Sequence, residues 1–142
     1  DRLLALLETH AVAPERLRVE ITEVALLDDA PRTLECLDLL RRHGVLAQLD
    51  DFGTGFSALS YLHRFPIASL KIDRSFVAGL DGETSTESVA VIRAIVALAT
   101  SLGIEQIAEG VETMRQRDRL NELGCTYAQG YLYSLPQPLP VT

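Results

Sequence analysis

The chain has 142 residues, of which 47% are hydrophobic and 23% are charged. These proportions are typical of a globular domain and exclude a disordered chain, and the length is sufficient for one hydrophobic core. The formal net charge of −7 argues against DNA as a partner, because no basic stripe is available to neutralise phosphates.

Helical and strand patterns alternate along the chain. In order, they predict a helix that ends before Pro14, a strand over 17–22, a helix capped by Asp28 or Asp29 and ended by Gly44, a strand over 45–50, a short helix over 57–63, a strand over 68–72, a helix over 87–102, a strand over 104–108, a helix over 113–123 and a strand over 127–133. Five strands separated by helices predict an α/β fold with a parallel sheet. We find no interior linker and interpret residues 1–142 as a single domain.

The cysteines and the apolar segments indicate the compartment of the protein and whether the chain crosses a membrane. Cys36 and Cys125 do not have the spacing of a metal site, which predicts free thiols and a reducing, cytoplasmic setting. The longest apolar stretch, residues 89–104, is interrupted by Arg93 and by two hydroxyl side chains. We therefore predict no membrane span in this chain.

Two adjacent acids, Asp50 and Asp51, follow the apolar strand over residues 45–50. The residues that come next are Phe52, Gly53, Thr54 and Gly55. Adjacent carboxylates repel each other, and a hard divalent cation is the usual way to hold both in the ionised state. The glycines let the backbone fold over whatever the acids hold. An isolated pair of acids would more often be solvated in a loop.

Polar residues also lie at or near the C-terminal ends of three other predicted strands. They are Glu20, Lys71 and Glu109, while Gln129 lies early in the last predicted strand and fits this pattern less well. In parallel α/β folds the loops at this edge converge on one crevice, where active sites form. The convergence therefore favours a metal site rich in carboxylates.

Each of these residues also has a structural interpretation when it is taken alone. Glu20 could pair with Arg18, and Lys71 could be an ordinary surface lysine. Glu109 and Glu112 could simply favour the N-terminus of the following helix.

The chain resembles the C-terminal part of the EAL domain, a cyclic di-GMP phosphodiesterase. The matching stretches, in the order found in that family, are Glu20–Glu23, Asp50–Ser57, Leu70–Asp73, Ala108–Thr113 and Ala128–Tyr131. The resemblance implies a TIM-like β/α barrel, incomplete here with about five of eight strands. It also implies hydrolysis of cyclic di-GMP to linear pGpG by two-metal catalysis with Mg²⁺ or Mn²⁺.

The resemblance further implies a role for each site residue. Glu20, Asp50 and Asp51 would be metal ligands, and Lys71 would contact the attacking water or a phosphate oxygen. Glu109 would bind water and act as a base, while Gln129, with Glu112 beside it, would order water. Glu23 would anchor the substrate loop, which is formed by Phe52, Gly53, Thr54 and Gly55. Asp50 is expected to bridge the two ions.

The Glu-Ala-Leu motif of the family, and the asparagine ligand that follows it, are not found in the sequence. Five of eight strands, at roughly 250 residues for a full barrel, predict roughly 155 residues, close to the length observed. We therefore expect the isolated chain to be inactive, and to self-associate or pair with a missing N-terminal part of the barrel through its sheet edges. A receptor that binds cyclic di-GMP without cleaving it, or an interaction module, stays an open alternative.

Overall fold

The computed structural model describes residues 2–53, 62–82 and 85–138. Its elements, in chain order, are α1 (Arg2–Thr9), a 3₁₀ turn (Pro14–Arg16), β1 (Arg18–Thr22), α2 (Glu23–Asp28), α3 (Ala30–Arg42), β2 (Leu46–Phe52), β3 (Ile67–Ile72), α4 (Arg74–Gly79), α5 (Ser85–Leu102), β4 (Glu105–Ala108), α6 (Met114–Glu122) and β5 (Tyr127–Ala128). The helix predicted over 57–63 lies outside the described residues, apart from its last two positions.

The strands form one parallel sheet in the order β1-β2-β3-β4-β5, which confirms the predicted α/β fold. Consecutive strands are neighbours throughout, so all of their C-terminal ends lie along one edge. A row of paired positions that crosses the sheet contains Glu20, Gln48, Ser69 and Glu105. The sheet thus carries polar side chains on a face that in a closed barrel would point inward.

Local sequence signals explain most helix ends. The Asp29 carboxylate accepts a hydrogen bond from the Arg32 backbone N–H at 3.3 Å and caps α3, while Gly44 follows that helix with φ +86°. Thr113 and Gln116 form a capping box at the start of α6. The short helices α2 and α4 were not predicted, because six residues are too few to show a helical period.

The core lies between the sheet and its helices. Helix α5 buries Ile92, Ile95 and Ala99 in the same cluster as Leu70 and Ile72 of β3. Among the described residues, α5 is the one helix that is long and apolar enough to span a membrane by length and composition. Its place over the sheet accounts for that composition, so it is not a clear membrane span.

The last strand is shorter than the sequence predicted. β5 ends at Ala128, and the chain then turns where the sequence predicted a strand up to residue 133. Gly130 lies so close to Val111 that a Cβ at this position would be 2.3 Å from the Val111 backbone oxygen. Val111 accepts a hydrogen bond from Leu132 at 2.9 Å, which holds the turn in place. Gln129 therefore follows the C-terminal end of β5, and its predicted position early in a strand was wrong.

Candidate metal centre

Lys71 is at the centre of the candidate site and is the only lysine in the chain. Its Nζ lies 2.9 Å from Glu20 Oε1, 3.0 Å from Asp50 Oδ1 and 2.7 Å from Glu109 Oε1. An ammonium group has three N–H donors, so these three carboxylates satisfy it completely. Lys71 is only 6% exposed, so it is not the ordinary surface lysine that remained an alternative from the sequence.

The contacts fix the charge of this lysine. Burial by itself lowers the pKa of Lys71, but its hydrogen bonds to Glu109, Glu20 and Asp50 outweigh that effect and raise the pKa above its ordinary value. The hydrogen bond from Lys71, followed by one from Gln48, lowers the pKa of Glu20. At neutral pH the site therefore contains a protonated lysine and an ionised Glu20.

A backbone irregularity brings Asp50 and Asp51 together. In a regular strand, successive side chains point to opposite faces of the sheet. Here Asp51 has φ +53°, and the pairing of β2 with β3 shifts register between Leu49 and Phe52. The Asp51 backbone N–H donates to Asp50 Oδ1 at 3.1 Å. Such bulges redirect side chains, and this one places two adjacent carboxylates at the same site.

Three carboxylates form a donor set that fits a divalent cation. One oxygen each from Asp50, Asp51 and Glu109 lies within 4.8 Å of the other two. A cation with oxygen ligands at roughly 2.1–2.4 Å spaces opposite oxygens by at most about 4.2–4.8 Å, so the three oxygens lie close enough together to share one ion. With Glu20, the site contains four carboxylates and one ammonium, and this excess of negative charge favours a cation.

Glu20 lies at the edge of this set. Its carboxylate contacts Lys71 and Gln48, and it is not among the three residues whose oxygens cluster within 4.8 Å. The alternative partner considered from the sequence, Arg18, instead pairs with Glu105 at 3.3 Å. Metal ligation by Glu20 stays a prediction.

Gln129 and Glu112 share a cavity with Glu109. The Gln129 side chain donates to Glu109 Oε1 at 2.7 Å, the same oxygen that Lys71 contacts. Glu109, Glu112 and Gln129 line a cavity of about 450 Å³ together with Arg74 and Tyr131. The cavity opens directly beside the acidic cluster and is large enough for part of a nucleotide-sized ligand.

The predicted loop residues are only partly described. Phe52 is buried and Gly53 is exposed with φ +96°, while Thr54 and Gly55 lie outside the described residues. Glu23, the first residue of α2, is 4% exposed. Its role as the anchor of this loop stays a prediction.

Two residues near the site were missed by sequence reasoning. Gln48 and Ser69 are buried on β2 and β3, and they connect Glu20 to the interior of the sheet through hydrogen bonds. The available signal was that each is a polar residue within an otherwise apolar strand. Polar side chains at such positions are usually hydrogen-bonded to a specific partner.

The fold and the site define a class: a parallel β/α protein with a carboxylate cluster that could hold a divalent cation at the C-terminal edge of its sheet. The EAL domain family matches residues 1–136. The chain therefore belongs to the EAL domain family.

Relatives within this family agree in sequence and in structure. The cyclic di-GMP phosphodiesterase RocR of Pseudomonas aeruginosa is 44% identical over 138 residues, which cover 97% of this chain and 35% of RocR. The structure of the PaMucR phosphodiesterase in complex with c-di-GMP matches with a TM-score of 0.90 and 41% identity, over 96% of this chain and 54% of that one.

A further structure contains a metal. Klebsiella pneumoniae BlrP1, solved as a manganese/cy-diGMP complex, is 30% identical with a TM-score of 0.83, over 92% of this chain and 33% of BlrP1. The chain thus spans about a third to a half of the length of these relatives. Its five-stranded sheet corresponds to part of the TIM barrel of EAL domains.

Proposed function

We propose that this chain is the C-terminal part of an EAL-type phosphodiesterase that hydrolyses cyclic di-GMP to linear pGpG. The observation that carries the proposal is the convergence of Asp50, Asp51 and Glu109 around the buried Lys71. Membership of the EAL family connects this convergence to a substrate class, because named relatives are cyclic di-GMP phosphodiesterases.

The acidic cluster supplies the cation site in this proposal. Asp50, Asp51 and Glu109 would hold Mg²⁺ or Mn²⁺, and Glu20 would complete the set for a second ion. The ions would supply positive charge that lowers the pKa of water and stabilises the phosphate oxygens during in-line attack.

Lys71 acts as a fixed positive charge. Its raised pKa makes it a poor general base at neutral pH, because it does not release its proton. It holds three carboxylates in place. Where a bound cation takes over one of these carboxylates, the N–H that is released would donate to a phosphate oxygen as negative charge develops there.

Glu109 is the residue best placed to accept a proton. Lys71 and Gln129 both donate to its Oε1, which orients the carboxylate. Among the described residues none donates to Oε2, where a water molecule would bind. Glu109 also borders the cavity, where we place the substrate with Glu112 at its wall.

We further propose that the described sheet is completed by other strands. Within the described residues, β1 and β5 each pair with one neighbour only, and the chain spans 54% of the PaMucR chain. We use "complete domain" for this chain together with the remaining strands of its barrel.

We place the protein in the cytoplasm, in agreement with the free thiols of Cys36 and Cys125.

The isolated 142 residues are expected to self-associate, because each unpaired strand edge offers backbone donors and acceptors to another chain. Light scattering should give a mass that rises with concentration above the 15.6 kDa of one chain. A constant monomer mass over a wide concentration range would show that the two edges do not drive association.

The proposed function predicts metal-dependent cleavage by the complete domain. With Mn²⁺ and cyclic di-GMP, chromatography should show pGpG as the product, and chelation should stop its formation. The isolated 142 residues should give no appreciable turnover. Binding of cyclic di-GMP by the complete domain with no product would refute the enzyme and identify a receptor instead.

A further inference from the structure

A row of polar side chains runs under the acidic cluster from one strand to the next. Glu20, Gln48 and Ser69 occupy paired positions on β1, β2 and β3. Lys71 lies two residues after Ser69 and therefore on the same face of the sheet. The row therefore runs from the buried Ser69 to Glu20, which contacts Lys71 at the centre of the site.

The hydrogen bonds in this row have a defined direction. Arg18 Nη1 donates to Ser69 Oγ at 3.2 Å, so the serine accepts there. Ser69 then donates its own proton to Gln48 Oε1 at 3.1 Å. The amide Nε2 of Gln48 is left to face Glu20, and it donates to Glu20 Oε1 at 2.8 Å. An ionised carboxylate only accepts hydrogen bonds, so this amide orientation is the one that fits.

The row fixes one oxygen of a carboxylate that is otherwise open to solvent. The Glu20 side chain is 49% exposed, whereas Gln48 is 9% exposed and Ser69 is fully buried. Both Gln48 and Lys71 donate to Oε1 of Glu20. The carboxylate is therefore held at Oε1, while Oε2 accepts no hydrogen bond from the part of the chain that the structure describes and can turn toward a cation.

We infer that Gln48 is a positioning residue, which holds Glu20 in the orientation that lets its carboxylate join the cation site. The inference rests on the proposed function for the presence of a divalent cation. Hydrogen-bond partners of this kind orient a ligand and raise metal affinity by about 10- to 100-fold. Gln48 neither lines the cavity nor supplies one of the three clustered oxygens, and its hydrogen bond toward the site is to Glu20. Its effect on a cation would therefore pass through Glu20.

The test is the Mn²⁺ affinity of the complete domain, measured by calorimetry without substrate. Gln48→Met keeps the length of the side chain and removes the amide, and it should lower the affinity about 10-fold. Gln106→Met is the matched control, because Gln106 is also a buried strand glutamine but bonds to Ile104 and Thr126 instead. The control should stay within about twofold of the wild type.

A double-mutant cycle separates positioning from general destabilisation. When Glu20→Gln is already present, Gln48→Met should change the Mn²⁺ affinity by less than about twofold. Equal losses with and without Glu20, no loss from Gln48→Met, or an equal loss from Gln106→Met would each overturn the inference. Should Gln48→Met fail to fold, Ser69→Ala removes the group that orients the amide and should lower the affinity in the same direction.

Measuring Mn²⁺ affinity and product formation separately distinguishes a failure of the role of Gln48 from a failure of the proposed function. A wild-type domain that binds Mn²⁺ but forms no pGpG refutes the phosphodiesterase and leaves the role of Gln48 to be decided by the cycle. If the enzyme is active but Gln48→Met lowers the Mn²⁺ affinity equally with and without Glu20, the role of Gln48 is refuted and the proposed phosphodiesterase activity is not affected.

Discussion

Replacing Lys71 by methionine is expected to reduce cyclic di-GMP hydrolysis by the complete domain by about 10³-fold, because one fixed donor is lost from the site of developing charge. The same change should lower the free energy of unfolding of the metal-free protein by about 2 kcal/mol. Three carboxylates then face each other with no shared cation, and their partial exposure keeps the cost below that of a fully buried pair. Thermal unfolding and initial rates measure the two effects.

The pKa shifts of Glu20 and Lys71 set the pH range in which Lys71→Met should lose most stability. The lowered pKa of Glu20 means that its contribution to stability is present above the ordinary value of 4.5 and is lost as pH falls through the folded-state pKa. The raised pKa of Lys71 means that its contribution is present below the ordinary value of 10.5 and is lost only at still higher pH. The stability difference between wild type and Lys71→Met should therefore be largest between about pH 5 and pH 10.

The control for this variant is Arg119→Met, which removes an exposed ion pair with Glu122. Pairs of this kind contribute about 0–1 kcal/mol, so the control should unfold almost as the wild type does. Adding Mn²⁺ should restore most of the stability of Lys71→Met, because the cation replaces the lost positive charge. A variant as stable and as active as the wild type would show that Lys71 does not organise the site.

Asp50→Asn is expected to abolish measurable turnover and to weaken Mn²⁺ binding by more than about 100-fold. Asp50 contributes an oxygen to the clustered set, contacts Lys71 at 3.0 Å and accepts the backbone N–H of Asp51. An amide keeps the shape of the side chain but removes the charge that attracts the cation. The rise in melting temperature caused by Mn²⁺ measures the loss directly.

Asp118→Asn provides the matched charge change, because Asp118 is exposed on α6 and, within the described residues, pairs with its neighbour Arg117 alone. This control should keep both its turnover and its Mn²⁺ stabilisation. Full activity in Asp50→Asn, or an equal loss in Asp118→Asn, would mean that general electrostatics and not the clustered oxygens determine metal binding.

The main site residues could be predicted because they follow from strand periodicity. Glu20, Asp50, Lys71 and Glu109 come at the ends of apolar or alternating runs, and the ends of parallel strands meet along one edge of a sheet. The contacts between them required the structure. Nothing in the sequence indicates that one ammonium group contacts three carboxylates, because that depends on the curvature of the sheet and on burial.

Other features depend on contacts that sequence patterns do not encode. The left-handed backbone of Asp51 arises where β2 shifts register against β3. The end of β5 depends on the approach of Gly130 to Val111, which is distant in sequence. Gln48 and Ser69 become partners only through strand register, since 21 positions separate them in the chain.

The central claim is that the ends of β2 and β4 hold a divalent cation. The most direct measurement is anomalous diffraction at the manganese edge from crystals of the complete domain grown with Mn²⁺ and cyclic di-GMP. A peak is expected within about 2.0–2.6 Å of carboxylate oxygens of Asp50, Asp51 and Glu109. Bound cyclic di-GMP with no manganese peak at these residues would contradict it.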